Sequence, residues 1–271
     1  MAKFIHFASV RKVSGLLTSG PSPNSPFAAH TRDMKLEGTT ALITGASRGL
    51  GFAVADLLAR RGVKLVIAAR SAVDIDRAKA ALDLLTDVVA VAADVSEKAE
   101  DVVGAGLARF GTIDVLINNA SELGPSPMPL LADLSWEAME RILRVNVTAP
   151  LHLTQLVLPA MRKRNAGTIL NVSSDAGVNA YPGWGGYGAS KAALEHISKV
   201  LAAELDGSAI RVITVDPGDM NTQMHRDAEP GADLSHLPAP EKVAPAIVAL
   251  LEDDSVKGGR YEAQALLAGA I

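Results

Sequence analysis

Seven short apolar runs separated by segments of helical period restrict what this chain can fold into. Thr39 to Thr44, Lys64 to Ala69, Val88 to Ala93, Ile113 to Ile117, Thr168 to Val172, Ile210 to Val215 and Arg260 to Leu266 read as strands. Helices are predicted between them. They cover Phe52 to Arg61, a stretch from near Asp74, Ser96 (as N-cap) to Phe110, Trp136 to Arg164 with a bend near Pro150, Tyr187 to Leu205, and Pro240 to Leu251. Strands this short and this apolar are buried on both faces, and strand–helix alternation forces each return to run parallel to the last. The predicted fold class is therefore α/β, a doubly wound parallel sheet with helices on both faces. No composition break or repeat interrupts residues 35–271, so they are expected to form a single domain.

Residues 1–34 read differently. They carry Lys3, Arg11, Lys12 and Arg32, many serines and three prolines, with Asp33 as the lone acid. That composition suits an organellar transit peptide. It equally suits a disordered tail or an extension upstream of Met34, and the latter two readings are preferred. The expected location is cytoplasmic. Aromatics are only 4% of the chain, so the core must be aliphatic. A net charge of −4 gives no reason to expect nucleic acid as a partner. No run is long and apolar enough for a membrane span, and the absence of cysteine excludes thiolate chemistry and Cys-based metal sites. No metal is expected.

Open parallel sheets bind ligands beyond the carboxyl ends of their strands. After the first strand comes Thr44-Gly45-Ala46-Ser47-Arg48-Gly49-Leu50-Gly51, a glycine-rich turn entering an amphipathic helix. Glycines let the backbone approach a pyrophosphate, whose charge then faces a helix N-terminus. The spacing G-x-x-x-G-x-G differs from the dinucleotide fingerprint. The second strand ends at Arg70-Ser71, where an acid would bind a ribose 2′-hydroxyl and an arginine a 2′-phosphate. With Arg48 as a second guanidinium and the nearest acids only at Asp74 and Asp76, NADP(H) is expected in preference to NAD(H).

The fifth strand leads into Ser173-Ser174, a glycine-rich loop, and then Tyr187 and Lys191, four residues apart. On a helix that spacing places both side chains on one face. An ammonium beside a phenol favours the phenolate, so the pair is expected to lower the tyrosine pKa and let it exchange a proton near neutral pH.

Together TGASRGLG, Asp94-Val95, Asn118-Asn119-Ala120, Asn146, Ser174, Tyr187-x-x-x-Lys191 and Pro217-Gly218 resemble, in order, the motifs of the short-chain dehydrogenase/reductase family, in its ordinary-length, single-domain branch. The resemblance covers about residues 36 to 266. It implies a Rossmann-like fold, a nicotinamide cofactor and a homodimer or homotetramer. By the same resemblance Asp94 and Val95 lie near the adenine, Asn118 and Ala120 line the cofactor cleft, and Pro217, Gly218 and Thr222 approach the nicotinamide. Ser174, with Ser173 as the near alternative, matches the serine that binds the substrate oxygen. Tyr187 matches the proton donor, Lys191 the residue that lowers its pKa and binds the nicotinamide ribose, and Asn146 the holder of a relay water. The reaction implied is interconversion of a small carbonyl compound (ketone or aldehyde) and an alcohol.

The chain departs from the family where Ser121 follows Asn119-Ala120 in place of the usual glycine. Substrate walls are expected from Ser121 to Pro129 and from Ala176 to Gly186, the latter made partly apolar by Ala180, Pro182 and Trp184. A flexible lid is expected over Thr222 to Pro238, with Met220, Met224 and His225 facing or underlying the pocket. Two rival readings are a non-catalytic NADP-binding sensor, which has no need of Ser174, Tyr187 and Lys191, and an extended-branch epimerase or dehydratase, which has a different glycine spacing.

Overall fold

A computed structural model describes residues 36–269, so the N-terminal extension lies outside the described residues. Seven strands form one sheet: β1 (Thr40–Thr44), β2 (Lys64–Ala69), β3 (Val88–Ala92), β4 (Val115–Asn118), β5 (Gly167–Val172), β6 (Ile210–Asp216) and β7 (Gly258–Glu262). Their spatial order is β3-β2-β1-β4-β5-β6-β7 and every pairing is parallel. The chain therefore runs outward to one edge, returns to the centre, and runs out to the other. Strand order reverses between β1 and β4, and the crevice at their carboxyl ends is where a ligand site is expected.

Alternation along each strand divides the core in two. Ala41, Ile43, Leu65, Ile67, Val115, Ile117, Leu170, Ile213 and Val215 face one layer. That layer is closed by helices α1 (Gly49–Ala59), α2 (Ala72–Leu82) and, beyond the sixth strand, α8 (Pro240–Glu252). Leu42, Val66, Ala68, Leu116, Ile169 and Val212 face the other. It is covered by α3 (Ala99–Phe110), by α5 (Ala149–Arg164), which continues α4 (Trp136–Leu143), and by the C-terminal end of α6 (Gly185–Glu204). A period of two places neighbouring residues on opposite faces, and both faces are apolar because both are covered. Each fully buried Leu or Ile contributes about 1.5–3 kcal/mol by leaving water.

Two buried polar devices fix helices to this sheet. Asn118 Nδ2 donates to Asn171 Oδ1 at 2.8 Å, Asn171 Nδ2 to Ser198 Oγ at 2.8 Å, and Ser198 Oγ to Leu194 O at 2.7 Å, tying β4 and β5 to α6. On β6, Arg211 donates to Thr168 Oγ1 at 3.1 Å and to the carbonyls of Leu251 at 2.7 Å and Asp253 at 2.8 Å. Those carbonyls end α8 and have no intrahelical donor, so the guanidinium caps the helix from beneath.

Several boundaries differ from those predicted: α1 starts at Gly49 and not at Phe52, and β4 at Val115 and not at Ile113. The last strand is Gly258–Glu262, not Arg260 to Leu266; Ala263–Gly269 turns helical as α9, and its apolar residues pack on the core layer instead of pairing. Ser96 does not cap α3, which starts at Ala99 after Lys98; the Ser96 amide and hydroxyl both bond Asp94 Oδ1. The long fourth helical segment, expected to bend near Pro150, is interrupted just before that residue by a π-helical turn, Arg144–Thr148. Finally, α6 starts at Gly185, which places Tyr187 in its first turn. A short seventh helix, α7 (Gln223–Ala228), follows the sixth strand.

Candidate active site

The glycine turn and the head of α1 are shaped by close approach. Gly45 has φ +67°, and a Cβ there would stand 2.9 Å from the Ala120 backbone. At Gly51 a Cβ would meet the Gly45 carbonyl and Asn119 Nδ2, both at 2.5 Å. Only glycine permits this packing of helix on turn. Gly51 is thus turned inward, whereas Gly45, Ser47, Arg48, Gly49 and Leu50 line a cleft of about 880 Å³. Gly51→Ala is expected to lower stability by about 1–3 kcal/mol, as an overpacked core does. An unchanged denaturant midpoint would show instead that the turn yields freely.

Thr44 and Asn119 join the two halves of the sheet beneath this turn. Thr44 Oγ1 accepts from the amides of Asn119 at 3.0 Å and Ala120 at 2.9 Å, and Asn119 Nδ2 donates to Thr44 O at 2.9 Å and Gly45 O at 3.2 Å. Asn118, expected to line the cleft, does not reach it. Its side chain lies among the buried amides of β5, and Asn119 and Ala120 form the wall. The role of Asn119 was legible only as one letter of a motif, because which of two adjacent asparagines turns inward depends on strand phase.

Arg70, Ser71, Asp94 and Val95 all line the same cleft farther along. The Ser71 hydroxyl accepts from Asp74 N at 3.2 Å, capping α2. Burial pushes the Asp94 carboxyl up, but hydrogen bonds from Ser96 outweigh it, aided by Arg70 and Arg141, and hold it below the ordinary value. The expectation of two arginines with no nearby acid needs correction. Glu122, from the segment after β4, accepts from Arg70 at 3.1 Å and from Arg141 at 3.3 Å. No local spacing links residues 52 positions apart, so this pair is invisible before the fold is known.

The opposite end of the cleft gathers Ser174, Tyr187 and Lys191 with Pro217, Gly218 and Thr222. Ser173 and Ser174 both border the cleft. Ser173 is 2% exposed and its hydroxyl is committed to Glu195 Oε1 at 2.7 Å, whereas half-buried Ser174 donates to Asp175 Oδ1 at 3.1 Å. Trp184 meets the Tyr187 ring edge-on, centroids 5.7 Å apart. Lys191 Nζ lies 5.4 Å from the centre of that ring and donates to Val172 O at 2.9 Å.

Burial sets the titration of this pair. It pushes the Tyr187 phenol above its ordinary value, against a hydrogen bond from Ser121, with Asp216 adding to the rise and Ser174 opposing it. The lowering expected from the Tyr–Lys spacing is therefore not what this chain's own groups produce. Burial also lowers the Lys191 ammonium from 10.5 to about 8. Between those values the unfolded chain holds the proton that the folded chain has lost, so stability from this group rises with pH across that window. Relative to Lys191→Met, wild type should gain up to about 3 kcal/mol between pH 8 and 10.5. Parallel unfolding curves for the two proteins would contradict this.

Asn146 sits in the π-helical turn at 1% exposure, behind the cleft. Its Oδ1 accepts from Glu122 N at 2.7 Å and Ser121 Oγ at 3.1 Å, and its Nδ2 donates to Glu122 O at 2.8 Å and Ser190 Oγ at 2.9 Å. A carboxamide has two donor hydrogens and two acceptor lone pairs. All four are used, so the side chain has no capacity left for a relay water.

Of the predicted walls, Ser121, Leu123, Ala176, Tyr181 and Trp184 face the cleft, but Ala180 and Pro182 do not. Thr222 caps α7, accepting from His225 N at 3.2 Å. Met224 and His225 line the space, and Met220, at the cleft edge, packs down into the core. Acid was missed here too. Asp216, before Pro217, lines the cleft and accepts from Gly218 N at 2.9 Å and Arg260 at 2.9 Å, while Arg260 also bonds Glu195 at 2.9 Å.

Comparison with known proteins agrees with this geometry. Residues 39–233 match the short chain dehydrogenase family. The 3-oxoacyl-[acyl-carrier-protein] reductase FabG of Vibrio cholerae is 35% identical over 248 residues, 84% of this chain and 99% of its own. A short chain dehydrogenase from Shigella flexneri complexed with NADP superposes with TM-score 0.77 at 27% identity, over 85% of this chain and 98% of that one. An NAD+-bound xylitol dehydrogenase shares the fold, with TM-score 0.75 at 24% identity over 84% and 98%.

Proposed function

Because the chain belongs to the short chain dehydrogenase family, and so to the NAD(P)-dependent oxidoreductases, we propose that it reduces the carbonyl group of a small ketone or aldehyde to an alcohol, using NADPH in preference to NADH. The observation that carries this reading is the meeting of Ser174, Tyr187 and Lys191 with the glycine turn in one cleft.

The residues present fit a dinucleotide. A Cβ at Gly49 would meet nothing within 4 Å, so the turn leaves open space at the head of α1, where a pyrophosphate gains from the helix N-terminus. Gly45, Ser47, Arg48, Gly49 and Leu50 would hold that group, and Gly51 supports it by packing. Arg70 and Ser71, with Arg48 from across the groove, would take a ribose 2′-phosphate. Asp94 and Val95, which line the cleft, would border the adenine, Ala120 would form the wall, and Pro217, Gly218 and Thr222 would approach the nicotinamide. When bound, the cofactor supplies the hydride.

The protein's part is to hold the carbonyl and deliver a proton. Ser174 Oγ would donate to the substrate oxygen, leaving its bond to Asp175. The Tyr187 hydroxyl would protonate the same oxygen as negative charge develops there. A phenol pushed up by burial is protonated at neutral pH, the state that reduction requires. Lys191, held by Val172 O, presents its charge beside the Tyr187 ring and would also bind the nicotinamide ribose. Asn146 is a buttress that joins Glu122 and Ser190.

The test is oxidation of NADPH and NADH, followed by absorbance, across aldehydes, ketones, β-ketoacyl thioesters and quinones. Turnover of at least one carbonyl class with NADPH is expected. Tight NADPH binding without turnover of any class would favour a cofactor-binding sensor.

A further inference from the structure

The segment that follows β6 is held by a side chain outside the cleft that no motif marks. Gln264, in the first turn of α9, donates through Nε2 to Pro217 O at 3.1 Å and to Asp219 O at 2.8 Å. Pro217, Gly218, Asp219 and Met220 line the cleft, and Gln264 does not. Gly218 makes this approach possible. Its φ is +70°, and a Cβ there would stand 2.6 Å from Gln264 Nε2. Both partners are carbonyls, which only the nitrogen end of a carboxamide can meet, so chemistry fixes which way the Gln264 amide faces.

Two peptide planes of the segment are set in this way, and they differ. Neither is cis, so in each the carbonyl and the following N–H point in opposite directions. In the Pro217–Gly218 plane both ends are engaged, the oxygen by Gln264 and the Gly218 N–H by Asp216 Oδ1 at 2.9 Å. Asp216 is itself anchored by Arg260 at 2.9 Å. In the Asp219–Met220 plane only the oxygen is engaged; among the described residues the Met220 N–H meets no acceptor. With its carbonyl drawn to Gln264, that N–H is aimed the other way, toward the cleft that Met220 borders. A donor so placed calls for an acceptor oxygen on a ligand.

We propose that Gln264 is a positioning residue for the nicotinamide end of the cofactor: by holding Asp219 O from outside the cleft, it turns the Met220 N–H to the carboxamide oxygen of that ring. The inference rests on the proposed function, in which Pro217, Gly218 and Thr222 approach the nicotinamide; Met220 lies between Gly218 and Thr222 in the chain. A bond to the carboxamide oxygen holds the ring against rotation about its link to the ribose. Gln264 touches neither cofactor nor substrate, and acts only through the peptide plane it fixes.

Calorimetry with NADP+ and with 2′-phospho-ADP-ribose, which lacks the nicotinamide ring, separates the two ends of the cofactor; NAD+ and ADP-ribose form the matching pair. Wild type should bind each dinucleotide more tightly than its fragment. Equal affinities within both pairs would take the nicotinamide away from this segment, and the inference would fall with the reading it rests on. In Gln264→Met, which keeps the length and loses the donor, NADP+ should weaken by about 3- to 10-fold, the worth of one hydrogen bond, and the fragment by less than about two-fold. If wild type discriminates, equal losses for NADP+ and fragment in Gln264→Met would mark a general loosening of the fold and overturn the proposal alone. Unchanged NADP+ binding would do the same. A second measurement needs no variant at position 264. With 15N at the seven methionines, Met220→Leu assigns the Met220 amide signal. That signal should move when NADP+ is added to wild type and stay near its unloaded position with the fragment. The same shift with both ligands, or none with NADP+, overturns the proposal.

Discussion

Replacing Tyr187 by phenylalanine is expected to lower carbonyl reduction by about 10²- to 10⁴-fold, the range in which a positioned general acid contributes. The substitution removes one oxygen and leaves the ring. The ring is what Trp184 packs against edge-on and what stands 5.4 Å from Lys191 Nζ, so the first turn of α6 keeps its packing. NADPH affinity should therefore change little, and the loss should appear in kcat and in kcat/KM together, as for an interaction made in the transition state. Fluorescence titration of NADPH alongside single-turnover kinetics checks both halves. Turnover within a few-fold of wild type would remove Tyr187 from the chemistry, and with it the proposed function.

Arg70→Asp is expected to weaken NADPH binding by about 30- to 100-fold while leaving NADH within a few-fold of wild type. Two effects act together. The guanidinium that would pair with the 2′-phosphate is lost, and a carboxylate stands in its place at the end of β2, where it can accept from a ribose 2′-hydroxyl. The new carboxylate would also sit near Glu122, which accepts from Arg70 at 3.1 Å in the wild-type chain, so repulsion of a phosphate would grow further. Because Arg70 is exposed, the ratio should shrink as salt rises, and the comparison belongs at fixed ionic strength. Equal losses for the two cofactors would refute the 2′-phosphate assignment.

The sheet was readable from sequence because its signal is short-range. Strands such as Ala41-Leu42-Ile43 are apolar on both faces and are bounded by glycine turns and amphipathic segments. The errors fall where tertiary packing overrides local pattern. Ala263 to Leu267 is apolar enough to read as strand, yet it turns helical because its apolar side chains find the core layer beside α8. The irregularity expected near Pro150 lies just upstream of it, in the π-helical turn that carries buried Asn146, because proline itself is tolerated at a helix start. The site divides in the same way. The glycine turn and the Tyr–Lys pair are each local in the chain and are legible by spacing, while Ser174 is singled out from Ser173 only by the family resemblance. The Arg70–Glu122 pair, the saturation of Asn146 and the Asp216–Arg260–Glu195 group join residues far apart, and only strand order brings them together.

The Asn119 amide, bonded to the carbonyls of both Thr44 and Gly45, closes the seam between the two halves of the sheet. A dinucleotide entering the groove consequently meets a floor already in its final shape. The halves need not part to admit it, and no conformational free energy is spent reopening that seam at each turnover. The segment from Thr222 to Pro238, expected to be the lid, is closed at its base by the bond from Asn221 N to Pro238 O at 3.0 Å. Under the proposed function, a change in that segment would alter which carbonyl compound is admitted without touching the bonds that close the seam.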